Sequence, residues 1–195
     1  RSSDLWMKQA ETEEGEKQEE DAEKKTKLLL EEMQLSNRII QKEYKCYAAW
    51  LHRKWVLRHL PHATRIEILV KENLKCQALL KVDERNFHVW GYRRWVTNQL
   101  VGTPHYDDKT ELAYTESKIG SNFSNYSAWH NRALVFNSLI EEAKGGSKVN
   151  EVNAATVDPL IALYEKESEL IIKAMYCDPE DQSAWLYSKT QIHSA

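Results

Sequence analysis

Tryptophan recurs along this chain at a nearly constant interval, and that interval constrains the fold more than any other feature. Four of the seven tryptophans follow one another at intervals of 40, 39 and 56 residues, namely Trp50, Trp90, Trp129 and Trp185. A period of about 20–50 residues is typical of solenoids, in which each repeat is one supersecondary unit. The longer last interval coincides with a Gly- and Asn-containing polar stretch at 143–157, so a surface loop is predicted there.

Each period carries the pattern of two helices. Apolar residues at 66, 70, 74 and 78 recur every four positions, and those at 69, 76 and 80 widen the same stripe. A polar turn at 83–86 follows, with Asn86 as the expected N-cap of the next helix, and Asn125 and Asp181 are the corresponding caps later on. The pattern predicts helices at 28–44, 47–60, 63–81, 87–100, 107–119, 126–142, 159–177 and 182–192. The fold class is therefore all-α, an alpha-alpha superhelix (solenoid) of stacked antiparallel helix hairpins.

The residues around each tryptophan also repeat. An aromatic residue stands three positions before it (Tyr47, Phe87, Tyr126), and an arginine stands three positions after it (Arg53, Arg93, Arg132). Positions three apart share one helix face, so both rings are expected to pack between adjacent pairs. The arginine is expected to pair with a carboxylate or a helix C-terminus of the next repeat. The copy at Trp185 keeps only the indole, and we expect all four indoles to be packing residues.

Residues 1–27 form a different segment, followed by the repeat domain at 28–195. The segment holds nine acidic and six basic residues, which accounts for the whole net charge of −3. It lacks an apolar stripe, so it is expected to be disordered or a solvated helix. Trp6 is interpreted as the remnant of an earlier repeat, and the chain as a fragment. The remainder has no basic face of the kind that binds nucleic acid.

No self-contained active site is visible in the sequence. The three cysteines lack C-x-x-C spacing, so no metal site is expected and a reducing cytoplasm is indicated. A nucleophile–base pair and a glycine-rich phosphate loop are also missing. No apolar run reaches the length of a membrane span. Any chemistry is therefore expected to require a partner chain, and the isolated chain is expected to be inactive.

The aromatic-x-x-Trp-x-x-Arg signature on the second helix of each pair resembles the repeat of protein prenyltransferase α subunits. The resemblance covers residues 45–192, which hold four periods. Within the family, the segments 82–88, 122–130 and 178–185 are most similar to the Rab geranylgeranyl type. The α subunit shared by farnesyltransferase and type I geranylgeranyltransferase is the alternative. A non-catalytic helical-repeat scaffold that binds proteins is the alternative of a different class.

The resemblance implies a cytoplasmic heterodimer in which the α subunit surrounds an α/α-barrel β subunit. The β subunit would hold the catalytic zinc and the isoprenoid pocket, and this chain would bind no cofactor. Geranylgeranyl diphosphate would alkylate the C-terminal cysteines of Rab GTPases, which a Rab escort protein presents. A complete α subunit would carry a full repeat before Lys45, where this chain has the charged run.

The resemblance also implies specific site residues. In the family, a lysine five residues before a repeat tryptophan reaches the diphosphate, and the matching residue is Lys45, with Tyr47 on the same turn at the substrate mouth. In the next repeat, a histidine two residues before the tryptophan lies near that mouth, and the matching residue is His88. The residues alone leave a plainer interpretation open, with Lys45 as a solvated surface lysine and His88 as a packed or capping residue.

Overall fold

The computed structural model describes the backbone of residues 2–145 and 154–194 and the side chains of residues 15–142 and 161–190. These residues form eight α-helices and no strand, which confirms the predicted all-α repeat class. The helices are α1 (Ser2–Lys42), α2 (Tyr47–His59), α3 (His62–Val82), α4 (Phe87–Leu100), α5 (Asp108–Ser121), α6 (Tyr126–Gly145), α7 (Ala154–Cys177) and α8 (Gln182–Ser194).

Most predicted helix ends lie within three residues of the observed ones, and two starts differ more. Helix α1 begins at Ser2, because Glu, Lys, Gln and Ala are strong helix formers and continue a helix without an apolar stripe. Helix α7 begins at Ala154, five residues before the predicted start at Pro159. Of the predicted loop at 143–157, the flanks are helical, and residues 146–153 lie outside the described residues. The side chain of Trp6 also lies outside them.

The chain divides into two compact units, Arg1–Lys71 and Glu72–Ala195, with the boundary inside α3. In the first unit, α1 packs against α2. The packed part of α1 begins at Leu29 and continues through Met33, Ser36 and Ile40, which are all buried. The charged run before it belongs to the same helix, and its side chains from residue 15 to residue 25 are exposed.

The second unit contains the end of α3 and helices α4 to α8. Helix α6 packs against α4, α5, α7 and α8. Its buried Phe136 and Ile140 form a core with Leu112 of α5, and Leu163 of α7 packs against that core. Turns of four residues, 83–86, 122–125 and 178–181, fold the second helix of each pair back on the first.

The buried face of α3 differs from the predicted stripe. Leu69, Glu72, Cys76 and Leu80 are buried, whereas Leu74 is 60% exposed and Ala78 is exposed. Strict spacing by four turns the stripe by about 40° per step, because the helix has about 3.6 residues per turn. The buried series instead has one step of three and two of four, and the shorter step brings it back toward one face.

Candidate functional site

Each repeat tryptophan ties its helix to the turn that precedes it. In all four repeats, the indole N–H donates to the backbone carbonyl six residues earlier. The bonds are Trp50 to Tyr44 at 2.8 Å, Trp90 to Glu84 at 2.7 Å, Trp129 to Phe123 at 2.7 Å and Trp185 to Pro179 at 3.1 Å. The bond gives a carbonyl of each turn a side-chain donor. The tryptophan therefore fixes the turn that presents the start of each second helix.

The expectation that all four indoles are packing residues is wrong for Trp185. Trp90 and Trp129 are each 1% exposed, and Trp185 is 48% exposed. The Trp129 ring is covered by Tyr187 of the next helix pair, with the ring centroids 4.8 Å apart. Within the described part of the chain no helix follows α8, so nothing covers Trp185 in the same way.

The aromatic residues at position −3 do not form the predicted wedge. Tyr47, Phe87 and Tyr126 are 66%, 69% and 55% exposed. Each is the first residue of its helix, so its side chain stands at the helix end instead of facing the preceding helix. Phe87 lies against the ring of His88, with the centroids 4.0 Å apart. The rings at −3 thus form an exposed aromatic feature at the start of each second helix.

The repeat arginines are buried and make one contact in common. Each guanidinium donates to the backbone carbonyl 20 residues back, in the first helix of the same pair. The bonds run from Arg53 to Met33, from Arg93 to Asn73 and from Arg132 to Leu112, at 2.9, 3.4 and 2.7 Å. These side chains are each 2% exposed. The contact joins the two helices of one pair, since donor and acceptor lie on the second and first helix.

Two of these arginines also form ion pairs with a glutamate of the next helix pair. Arg93 binds Glu111 through two parallel bonds of 3.0 and 2.5 Å. Arg132 binds Glu167 in the same forked manner, at 2.7 and 2.8 Å. All four partners are buried. Burial alone would lower the pKa of Arg132, but the hydrogen bonds and charge of Glu167 raise it above the ordinary value, which favours the charged guanidinium.

The sequence analysis predicted a carboxylate or a helix C-terminus of the next repeat as the partner of each arginine, but it did not identify these glutamates. A glutamate stands 18 residues before every repeat tryptophan, at Glu32, Glu72, Glu111 and Glu167. In three repeats it bonds the residue two positions after that tryptophan: His52 to Glu32 at 2.9 Å, Tyr92 to Glu72 at 2.9 Å, and Tyr187 to Glu167. The constant spacing was visible in the sequence. We use the name repeat clamp for a repeat arginine together with the glutamate that it binds in the next helix pair, as in Arg93–Glu111 and Arg132–Glu167.

The helix caps differ between the first repeat and the others. Asn86 accepts hydrogen bonds from the amides of His88 and Val89, and Asn125 and Asp181 cap α6 and α8 likewise, as predicted. At the same position α2 has Cys46, which makes no capping hydrogen bond. The first amides of α2 therefore have no side-chain acceptor from the cap, and that end of the helix keeps its partial positive charge.

Lys45 and Tyr47 flank this uncapped helix start. Both side chains are exposed. The Lys45 ammonium lies 5.6 Å from the centroid of the Tyr44 ring, and the Lys45 amide donates to the Glu43 carboxylate at 3.0 Å. The turn thus presents a lysine and an aromatic ring beside the positive end of α2.

His88 lies on the first turn of α4, in the second unit. Its ring is half-buried against Phe87, and its amide is held by the Asn86 cap. The structure therefore places Lys45 and His88 at corresponding ends of the second helices of consecutive repeats, each within its own unit. No group of His, Cys, Asp or Glu suited to a metal ion occurs among the described residues. None of the described helices is long and apolar enough to cross a membrane.

Comparison with known proteins identifies the repeat. The family model "Protein prenyltransferase alpha subunit repeat" matches residues 29–60, 70–100 and 108–139, which are the first three helix pairs. The pig and human proteins named geranylgeranyl transferase type-2 subunit alpha are each 40% identical over 145 residues, 74% of this chain and 23% of theirs. The protein of that name from Saccharomyces cerevisiae is 35% identical over 153 residues, 77% of this chain and 43% of its own.

Fold and site together define a helical-repeat protein in which a buried arginine of one pair binds a buried glutamate of the next, as Arg93 binds Glu111 and Arg132 binds Glu167. The chain belongs to the protein prenyltransferase alpha subunit repeat family. It spans about a quarter of the length of the mammalian relatives and less than half of the yeast one.

Proposed function

We propose that this chain is part of the α subunit of a heterodimeric protein prenyltransferase of the Rab geranylgeranyl type. The observation that carries the proposal is the combination of register and similarity: Lys45 and His88 occupy the family positions, and the curated relatives are named type-2 α subunits. Those names favour the geranylgeranyl type over the farnesyl alternative. A protein-binding scaffold would need neither Lys45 nor His88 at these positions.

The proposed enzyme acts in the cytoplasm and divides its tasks between subunits. The β subunit supplies the zinc and the isoprenoid pocket, and the described residues of this chain contain no competing metal site. Geranylgeranyl diphosphate binds at the subunit interface, and the Rab escort protein presents the Rab GTPase. The sulfur of a Rab cysteine forms a bond to the allylic carbon while the carbon–oxygen bond breaks, the thiol proton is lost to solvent, and diphosphate leaves.

Lys45 is proposed to stabilise the departing diphosphate. Negative charge grows on the diphosphate as the carbon–oxygen bond breaks, so a fixed ammonium helps the transition state more than the ground state. The start of α2 supports this role, because Cys46 offers its first amides no side-chain cap and the helix dipole adds positive potential beside Lys45. Tyr47, on the first turn of α2, is proposed to border the same mouth.

His88 is proposed to act in the same direction with a smaller effect. The Asn86 cap and the Phe87 ring hold its side chain in a defined position at the start of α4. A neutral imidazole contributes one hydrogen bond to the diphosphate, whereas an ammonium contributes a full charge.

Reconstitution with a prenyltransferase β subunit tests the proposal. The full-length protein containing this chain should form a one-to-one complex with that subunit and transfer geranylgeranyl to a Rab GTPase when escort protein is present. The isolated chain should show neither transfer nor stoichiometric zinc by metal analysis. A chain that forms no complex, or that carries zinc by itself, would refute the assignment.

A further inference from the structure

A second site lies in the second unit, between α4, α6 and the start of α5. It is a cavity of about 300 Å³. Its polar lining includes Arg94, Asn98 and Asn131, and its acidic lining is Asp108 and Glu111. The proposed diphosphate contacts belong to the other end of the second helices, so this cavity is not explained by them.

Arg94 is the cationic group of this cavity, and it lacks an ionic partner. Its side chain is half-buried, and its hydrogen bond to the Asn131 side-chain oxygen is long, at 3.4 Å. Among the described residues no carboxylate forms an ion pair with it. The neighbouring Arg93, in contrast, is fully engaged by Glu111. A half-buried guanidinium without a carboxylate is costly, since its desolvation is not offset.

The acidic residues of the cavity are already engaged elsewhere. Glu111 is held by Arg93, and Asp108 accepts a hydrogen bond of 2.6 Å from the Tyr106 hydroxyl. Asp108 is also the first residue of α5, where the helix dipole favours a negative charge. Neither a neutral hydroxyl nor a helix start is a counter-ion, so the lining holds one carboxylate, Asp108, and one guanidinium, Arg94, without an ion pair among the described residues. Asp108 lies at a helix start that favours it, whereas Arg94 lies in the middle of α4, away from either helix end.

The charge of Arg94 also affects a neighbouring histidine, and part of the cavity rim is apolar. Burial, and then the charge of Arg94, hold the pKa of His130 below its ordinary value. The exposed lining residues are the apolar Leu134 and Val101 and the polar Asn98 and Ser138. An arginine beside apolar side chains that limit the access of water is the kind of residue that contributes most to binding at protein interfaces.

We infer that this cavity binds a carboxylate side chain of the partner subunit, with Arg94 as its ion-pair donor. The inference rests on the proposed function, which supplies the partner. The forked guanidinium can accept an aspartate or glutamate through two parallel bonds, as Arg93 and Arg132 do within this chain. Asn98 can donate to a carboxylate oxygen that remains, since side-chain amides are donors, whereas the Asn131 amide already donates to the Ser127 carbonyl at 2.7 Å.

Binding of a prenyltransferase β subunit to immobilised full-length protein tests this inference. Arg94→Glu should weaken binding about 30-fold or more, because loss of one partner of a buried charge pair acts mainly on dissociation. Arg94→Met, which keeps volume and removes charge, should weaken it by a smaller factor and flatten the salt dependence. Lys173→Glu changes the charge equally at an exposed position of α7 and should leave affinity unchanged.

The outcomes separate this inference from the proposed function. If the unmodified protein binds the β subunit and both Arg94 variants bind equally well, the cavity is not an anchor and only this inference is wrong. If the unmodified protein does not bind it, the proposed function fails and the inference fails with it. Thermal melts of the isolated variants show whether they fold. Rescue of Arg94→Glu by changing one β-subunit Asp or Glu to Lys would identify the occupant.

Discussion

At the residue scale, the repeat depends on contacts that recur at fixed sequence separations. The indole bonds the carbonyl at −6, the arginine bonds the carbonyl 20 residues back, and the glutamate stands at −18. Tyr114 packs against one of these groups: the Arg93 guanidinium lies 3.8 Å from the centroid of the Tyr114 ring. Burial raises the pKa of the Tyr114 hydroxyl to about 12. The side chains of Trp90, Trp129, Arg93 and Arg132 are buried, so their contacts should matter most for stability.

Substitution of Trp90 tests whether the buried repeat indoles stabilise the fold by packing. Trp90→Ala should lower the free energy of unfolding by about 3–5 kcal/mol, because a large buried side chain is replaced by a small one. Phe87→Ala, three residues away, should cost less than about 0.5 kcal/mol, because its ring is 69% exposed. Urea denaturation measures both. Equal costs for the two would contradict the burial that separates position 0 from position −3.

Substitution of the glutamate of a repeat clamp should lower the free energy of unfolding as much as substitution of the tryptophan. Glu111→Gln leaves the buried Arg93 guanidinium without its charged partner, and breaking such a pair costs about 3–5 kcal/mol. Glu20→Gln, which breaks the exposed Glu20–Lys24 pair, should cost less than about 0.5 kcal/mol. Denaturation curves in parallel give the comparison. A Glu111 variant as stable as the Glu20 variant would show that the clamp contributes no stability.

At the element scale, much of the fold followed from the sequence, and the exceptions have physical causes. The helices starting at Tyr47, Phe87, Tyr126 and Gln182 were predicted at the right residue, because turn and cap signals mark them. The start of α1 was not, because an exposed charged helix carries no periodic apolar signal. The exposure of Phe87 could not be read from helix-face arguments, which ignore where a helix ends.

The candidate site was predictable only in part for a similar reason. Lys45 and His88 were found through family register, and no signal in the residues themselves marks them. A glutamate stands 18 residues before the tryptophan in all four pairs. It lies in the first helix of the pair, so a comparison of only the residues near each tryptophan does not include it. The Arg94 cavity depends on which carboxylates are already paired, and sequence spacing does not contain that information.

The first helix pair offers a prediction at this scale. Cys46→Asn should raise the free energy of unfolding by about 0.5–2 kcal/mol, because asparagine at the N-cap adds a side-chain acceptor for the first amides of α2. Asn86→Cys should lower it by a similar amount, since it removes the two hydrogen bonds that cap α4. Chemical denaturation decides both. An unchanged stability for Cys46→Asn would mean that the α2 amides already have other partners.

At the scale of the whole molecule, the chain has the repeat of the protein prenyltransferase alpha subunit family. The described residues provide no metal cluster, and the groups to which the proposed function assigns chemistry are an exposed lysine, an exposed tyrosine and a half-buried histidine. Under the proposed function, these groups act only when a partner brings the reacting molecules to them. We therefore propose that the chemistry occurs in the assembled heterodimer.

The rate of the chemical step in that heterodimer tests this claim most directly. In single-turnover experiments on the full-length protein reconstituted with its β subunit, Lys45→Ala should slow transfer about 10–1000-fold, the range for loss of one charged stabiliser. Isoprenoid affinity should change much less. His88→Ala should slow transfer by a smaller factor, and the exposed Lys71→Ala should have no effect. A Lys45→Ala rate equal to that of the unmodified enzyme would contradict the catalytic role and leave this chain a structural one.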